Sequence, residues 1–168
     1  TSYIPTVASQ VTRSGDSALM TGTNFSSWWN GISGTFTAEL ATEFTASQNI
    51  AGSRYFLAST AGTNYFLYTN INDNNIRSYD GTNALSAAVS NFTTANKFAS
   101  AYSGTSLTKS LCVNGGTVTS GAYNNAFISA VGLQIATAGG AGSNVWFKRL
   151  SYFPVALTSA QLQALTTI

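Results

Sequence analysis

Two carboxylates in this chain have a spacing that could support chemistry. Glu39 and Glu43 stand in Glu39-Leu40-Ala41-Thr42-Glu43 and are two of only five acidic residues. Retaining glycoside hydrolysis needs one protonated and one ionised carboxyl group about 5–5.5 Å apart. Four residues along a strand span about 13 Å at ~3.3 Å each, so these side chains would have to lean together. Two glutamates on a solvated strand face is the plainer expectation. There is no histidine to act as a base, a zinc ligand or part of a Ser-His-Asp arrangement. Asp16, Asp73 and Asp80 fall in turn-like segments with no evident pairing to this strand. The expectation is a chain with no catalytic residues, not an enzyme.

Aromatic rings are the second resource. Sugar rings stack their apolar C–H patches on aromatic faces, so exposed rings suit glycan capture. Trp28 and Trp29 lie in a Ser/Asn/Gly-rich segment, although packing at least one of them into the core is the usual fate of tryptophan. Tyr65, Tyr68, Tyr79 and Tyr102 are the other carbohydrate-binding candidates, and Tyr123 is a further ring. Tyr65 and Tyr68 differ by three, which puts them on opposite faces of a regular strand. Asn70 to Asn75 followed by Asp80 is the richest oxygen cluster. It makes Asp73 and Asp80 candidates for calcium, which takes six to eight oxygen ligands. A polar hairpin tip is the alternative, and no cofactor is otherwise called for. Cys112, the single cysteine, has no internal partner and reads as a small hydrophobe.

The elements that must carry these residues read as strands. Phe36, Ala38, Leu40 and Phe44 share one parity, and Thr35, Thr37, Glu39 and Glu43 share the other. That alternation predicts a half-buried antiparallel strand over 35–45 with Phe36, Leu40 and Phe44 inside and both glutamates outside. Further strands are predicted at 54–59, 64–69, 76–79, 97–102, 106–113, 117–119, 127–135 and 145–153. Gly- and Asn-rich joints separate them, among them Thr60 to Thr63 and Asn114-Gly115-Gly116. Evenly spaced short strands argue for a sandwich or barrel. One helix is predicted at 159–165. Thr158 and Gln161 form a capping box, Leu157 and Leu162 a hydrophobic staple, and Leu162 and Leu165 an apolar face.

Composition fits a sandwich of unusual surface. Charged residues are 7%, far below the roughly 25% of ordinary domains, so Ser, Thr, Asn and Gly must supply the polar surface. The seven basic residues are scattered. Lys148 and Arg149 are adjacent, but on a regular strand they would face opposite ways. Nucleic-acid binding, which wants clustered cations, is not expected. No apolar run reaches the ~18 residues of a membrane span, so no membrane role is expected either.

Both ends of the chain resemble a known family. Ser2-Tyr3-Ile4-Pro5-Thr6, Val11-Thr12-Arg13 and Thr21-Gly22-Thr23-Asn24-Phe25-Ser26-Ser27-Trp28 look like the opening of concanavalin A-like, laminin G-like jelly-roll domains of bacteriophage tail fibres, tailspikes and other virion proteins. Val145 to Pro154, followed by Leu157 to Thr166, looks like their end, and the Val113-Asn114-Gly115 turn fits as well. The resemblance implies an all-β, two-sheet antiparallel jelly-roll sandwich over residues 1–168 with a short C-terminal helix. It also implies a single domain at the C-terminal part of a longer virion protein. The implied role is non-enzymatic adhesion at the exposed surface of a phage particle, to a host glycan or receptor. The alternative is a structural capsid or tail decoration module working through contacts with other virion proteins. Homo-oligomers are implied too, since phage fibres are commonly trimeric. Related glucanases carry Glu-x-Asp-x-Glu on one strand. Here Ala41 replaces the central acid, which leaves a weak glycosidase as the third reading.

Overall fold

The strand-rich reading holds in the computed structural model, which describes residues 18–48, 52–61, 64–70, 72–138 and 141–168. Strands are numbered in chain order. Among the described residues, the larger sheet has six antiparallel strands. Their spatial order is β1 (Ala18–Thr21), β10 (Gly132–Ile135), β3 (Arg54–Ser59), β4 (Asn64–Thr69), β5 (Asn75–Asp80) and β6 (Ala84–Ala88). The second has five, in the order β13 (Val145–Phe153), β2 (Ser33–Thr42), β7 (Asn96–Ser103), β8 (Thr108–Val113) and β9 (Thr119–Ala122). A two-residue pair, β11 (Thr137–Ala138) with β12 (Ala141–Gly142), lies at the side. A short helix α1 (Thr23–Ser26), a C-terminal helix α2 (Ser159–Thr166) and 3-10 turns at Ala46–Gln48 and Ala126–Ser129 accompany the sheets. This is the expected two-sheet antiparallel sandwich.

The core follows from alternation. Phe36, Ala38 and Leu40 of β2 are buried, while Glu43 is exposed. Phe44 lies beyond the end of β2 and is only half-buried against the core, because alternation stops with the strand. Phe36 meets Phe66 of the facing sheet at 4.7 Å between ring centroids, and Phe66 meets Phe127 at 4.5 Å. Aromatic rings thus fill much of the space between the sheets, and each such pair adds about 0.5–1.5 kcal/mol beyond its buried area. Gly34 is a site of close approach. A Cβ there would sit 2.5 Å from the Tyr102 hydroxyl and 2.6 Å from that of Tyr152.

Several elements depart from expectation. The predicted strand 127–135 begins as a 3-10 turn at Ala126–Ser129, and only Gly132–Ile135 pairs as a strand. Asn125, with φ 64, reverses the chain and sends Phe127 into the core. Strands β1 and β6 lacked a clear signal, being short and Ala-rich or lying beside turn residues. Helix α2 forms with both halves of its capping box. Gln161 N donates to Thr158 Oγ1 at 3.4 Å, and Thr158 N donates to Gln161 Oε1 at 2.9 Å. Leu162 is buried against Ala99, Ala101 and Cys112 on the outer face of β7 and β8, with Leu157 beside it. Leu165, expected to pack there, is 44% exposed, and Thr166 is buried in its place. A residue four places on from Leu162 lies over it more nearly than one three places on, given 3.6 residues per turn.

Ser2 to Thr6, Val11 to Arg13 and Asp16 lie outside the described residues, as do Gly62 and Thr63 of the predicted hairpin and Ile71 of the oxygen cluster.

Candidate functional site

Four tyrosines gather on the outer face of the six-stranded sheet. Tyr55 comes from β3, Tyr65 and Tyr68 from β4, and Tyr79 from β5. Tyr55 and Tyr65 lie 4.5 Å apart between ring centroids, Tyr65 and Tyr68 5.3 Å, Tyr55 and Tyr68 6.1 Å, and Tyr65 and Tyr79 6.1 Å. The expectation that Tyr65 and Tyr68 face opposite ways is corrected here. Register shifts interrupt the β3–β4 and β4–β5 pairing between these two residues. The irregularity turns Phe66 and Leu67 both into the core and brings the Tyr65 and Tyr68 rings together on the other side, where Tyr65 is half-buried and Tyr68 is only 7% exposed. Cross-strand register then builds the floor in two rows. Tyr55 pairs with Tyr68 and Tyr68 with Arg77 in one row, and Tyr65 pairs with Tyr79 in the other.

Hydrogen bonds and charge hold this floor in shape. The Tyr79 hydroxyl donates to Gly81 O at 2.8 Å. Burial, then the hydrogen bond with Tyr55, pushes the Tyr65 hydroxyl up to about 12. Burial also raises Tyr68, against the opposing pull of nearby Arg77. Tyr65 and Tyr68 are therefore neutral donors and acceptors at ordinary pH. Arg77 donates to Asp73 Oδ2 through Nε at 2.8 Å and Nη2 at 2.6 Å. Its neighbour on the edge strand is Ser86, and Ala84 stands opposite Tyr79. Both β6 residues are exposed and small, so one side of the floor is open. Nothing in the sequence alone marks Tyr55 or Arg77 as part of this face. Tyr55 becomes visible only once its cross-strand partner is known.

The other ring candidates serve the core. Trp29 stacks on Phe25 at 4.9 Å and on Tyr152 at 5.3 Å, and its ring also meets Phe36, Phe66 and Tyr102. Trp28 is half-buried, edge-on to Phe25 and Tyr152, with its indole N–H donated to Asn24 O at 2.7 Å. Tyr102 is 1% exposed. Its hydroxyl donates to Asn30 O at 2.7 Å and lies 3.1 Å from that of Tyr152. Burial raises its pKa far above the phenol range. Tyr102 thus has no surface to offer a ligand. Trp146 of β13, unremarked as a binding candidate, is 59% exposed.

The two calcium candidates each already have a cation. Asp73 is the partner of Arg77, and its Oδ1 also accepts from Asn75 N at 3.0 Å. Asp80 is fully buried, with its Oδ2 3.4 Å from Lys109 Nζ of the facing sheet. It accepts backbone N–H bonds from Thr82, Asn83 and Asn124 at 3.1, 2.6 and 3.1 Å. Burial would raise its pKa, but these donors and Lys109 outweigh that and hold it below the usual carboxylate value. Among the described residues, no group of three or more potential metal ligands comes together.

The glutamate pair is split between different partners. Glu39 accepts from Lys148 Nζ at 2.7 Å, which chiefly holds its carboxyl below the usual value despite some desolvation. Glu43 lies past the end of β2, where its Oε2 accepts from Asn144 Nδ2 at 3.4 Å. The charge environment of Glu39 corrects a second expectation. Register shifts between Phe147 and Arg149, so Lys148 and Arg149 are both exposed rather than opposed. With Lys97 of β7, which pairs with Glu39 across the sheet, they surround that one carboxylate.

No protein-family model matches the chain, and no curated protein matches it in sequence. Solved structures do match in shape. One is the CBM40 module of the Ruminococcus gnavus IT-sialidase bound to α2,3-sialyllactose. It has a TM-score of 0.59 and 16% identity, and the match covers 80% of this chain and 82% of that one. A second structure of that CBM40 module gives a TM-score of 0.60 at 16% identity, over 83% of this chain and 85% of that one. Trypanosoma rangeli sialidase in complex with the inhibitor DANA gives 0.63 at 16% identity. That match covers 90% of this chain but only 26% of the enzyme. At such identities the likeness establishes the fold: this chain shares the β-sandwich of these modules.

Proposed function

We propose that this chain is a non-catalytic carbohydrate-binding module that holds a surface glycan against the tyrosine face of its six-stranded sheet. The carrying observation is the floor of Tyr55, Tyr65, Tyr68 and Tyr79, four rings from three adjacent strands, of which Tyr55, Tyr65 and Tyr79 are half-buried and present surface while Tyr68 is buried among them. A sugar ring laid on such a floor buries its C–H patch on the aromatic faces, and its hydroxyls meet phenol hydroxyls that both donate and accept. The fold likeness to two carbohydrate-binding module structures supports the reading. The resemblance of both chain ends to phage virion proteins supports adhesion to a host as the setting. There, many copies on one particle would turn a weak single site into firm attachment. Glu39, kept ionised by Lys148, is a poor general acid, which supports a role without catalysis.

A glycan array probed with the chain, followed by titration of the best ligand, tests this. Tyr65→Ala and Tyr79→Ala are each expected to abolish the signal while leaving the melting temperature nearly unchanged, since both residues are only half-buried. Binding that survives both substitutions, or an array without signal, would overturn the reading. The runner-up, assembly with copies of itself or with other virion proteins, draws on Ile32 and Ile128. These are 53% and 56% exposed on adjoining segments at one end of the sandwich. Sedimentation of the chain at rising concentration decides whether that end associates.

A further inference from the structure

On the opposite side of the molecule, the outer face of the five-stranded sheet carries a second cleft. Its volume is about 100 Å³, and its lining includes Thr37, Glu39, Lys97, Arg149, Ser151, Phe153 and Leu165. Three features set its chemistry. Lys97, Lys148 and Arg149 surround Glu39, with Lys148 Nζ donating to its Oε1 at 2.7 Å and Lys97 Nζ donating to Thr167 O at 2.7 Å, so three cations gather about one carboxylate. These are three of the seven basic residues in a chain poor in charge. The shift between Phe147 and Arg149 is what presents Lys148 and Arg149 on the same side. Two hydroxyls, Thr37 and Ser151, stand opposite each other in the register, and Phe153 and Leu165 add apolar wall. Trp146 pairs with Ala41 on this face of the sheet, two residues along β2 from Glu39.

We infer that this cleft is a second, separate binding site that takes an acidic polysaccharide, with a carboxylate-bearing sugar seated at Arg149 and Lys97 and hydroxyls bonded to Thr37, Ser151 and Glu39. The net positive ring favours an anion. The hydroxyl floor and the single carboxylate suit a sugar, whose hydroxyls both donate and accept. A nucleic-acid strand fits less well. The cations form a ring around one small cleft, whereas tracking a backbone calls for a basic stripe or groove. The site does not depend on the tyrosine face, which lies on the other sheet.

The test is calorimetric titration of the whole chain at low salt with three probes: an oligogalacturonate, neutral dextran, and a single-stranded oligonucleotide of matched charge. The oligogalacturonate should bind, dextran should not, and added salt should weaken binding through screening. Arg149→Ala should weaken it about tenfold, the worth of a charge-assisted hydrogen bond. Glu39→Gln should tighten it about threefold, because it removes the only anion from the ring. Tyr65→Ala should change nothing here, which separates this site from the tyrosine face. The inference fails if the acidic probe does not bind, or if Arg149→Ala binds like the parent with its fold intact. It also fails if Glu39→Gln weakens binding, if Tyr65→Ala abolishes it, or if the oligonucleotide binds as tightly.

Discussion

Lys109 lies between the sheets with 2% of its surface exposed, a costly place for an ammonium group. Burial lowers its pKa, and Asp80 works against that shift. Its Nζ donates to Ser78 O at 3.3 Å and also to Asn83 O, so it ties β8 of one sheet to the end of β5 in the other. The two partners are not equally dependent on each other. Asp80 keeps three backbone donors if the lysine is lost, whereas Lys109 keeps only carbonyls if the aspartate is lost. Asp80→Leu is therefore expected to cost about 3–5 kcal/mol, the range for orphaning one member of a buried pair. Lys109→Met should cost less, because its stem is replaced by apolar chain and the carboxylate stays bonded. Urea denaturation of both variants checks the order. A larger loss in Lys109→Met would mean that the backbone donors do not sustain the carboxylate.

Helix α2 shows what a local signal can do. Thr158→Ala removes the acceptor for Gln161 N and should cost about 0.5–2 kcal/mol. Leu162→Ala should cost about 2–5 kcal/mol and Leu165→Ala almost nothing, since the first is buried and the second exposed. Thermal melts of the three variants test that ranking. The cap was legible because it is written in four consecutive residues, and β2, β3, β4 and β13 were legible through alternation and turn residues. Placement of the site was not. Tyr65 and Tyr68 share a face, and so do Lys148 and Arg149, because strand pairing shifts register beside them. Such shifts depend on what a neighbouring strand does, and alternation along one strand carries no record of that. Trp29 takes the usual fate of tryptophan despite its Ser/Asn/Gly-rich surroundings: α1 folds the pair back so that Trp29 rests on Phe25, Phe36 and Tyr152, and Trp28 stays half-buried.

The whole molecule should be most stable over a broad neutral range, with losses at both ends that have different owners. Tyr65, Tyr68, Tyr102, Tyr123 and Tyr152 all have raised folded pKa values, with burial the largest cause in each. A raised value means that the folded state keeps protons the unfolded chain gives up. The stability these residues contribute is complete below the unfolded tyrosine value of about 10 and is lost as pH rises beyond it. Lys109, with its lowered value, acts in the opposite direction and is outnumbered. At the acid end, the depressed Asp80 carboxyl contributes stability that is complete above the unfolded aspartate value of about 3.9. That contribution drains away as pH falls through the folded value. Unfolding followed by phenolate absorbance should thus show tyrosine ionisation arriving together with loss of structure above about pH 10. Gradual ionisation of all the tyrosines with the fold intact would contradict it.

The irregular stretch of β4 has a bearing on how such a protein can change over generations. Phe66 and Leu67 answer to the core, and their neighbour Tyr65 answers to the outside. A mutation at Tyr65 or Tyr79 alters what the face offers without disturbing what the two sheets share. Selection for a new ligand and selection for a foldable chain therefore act on different letters of the same strand. Lineages under pressure from a shifting target could rewrite the tyrosine positions repeatedly while inheriting the aromatic interior unaltered.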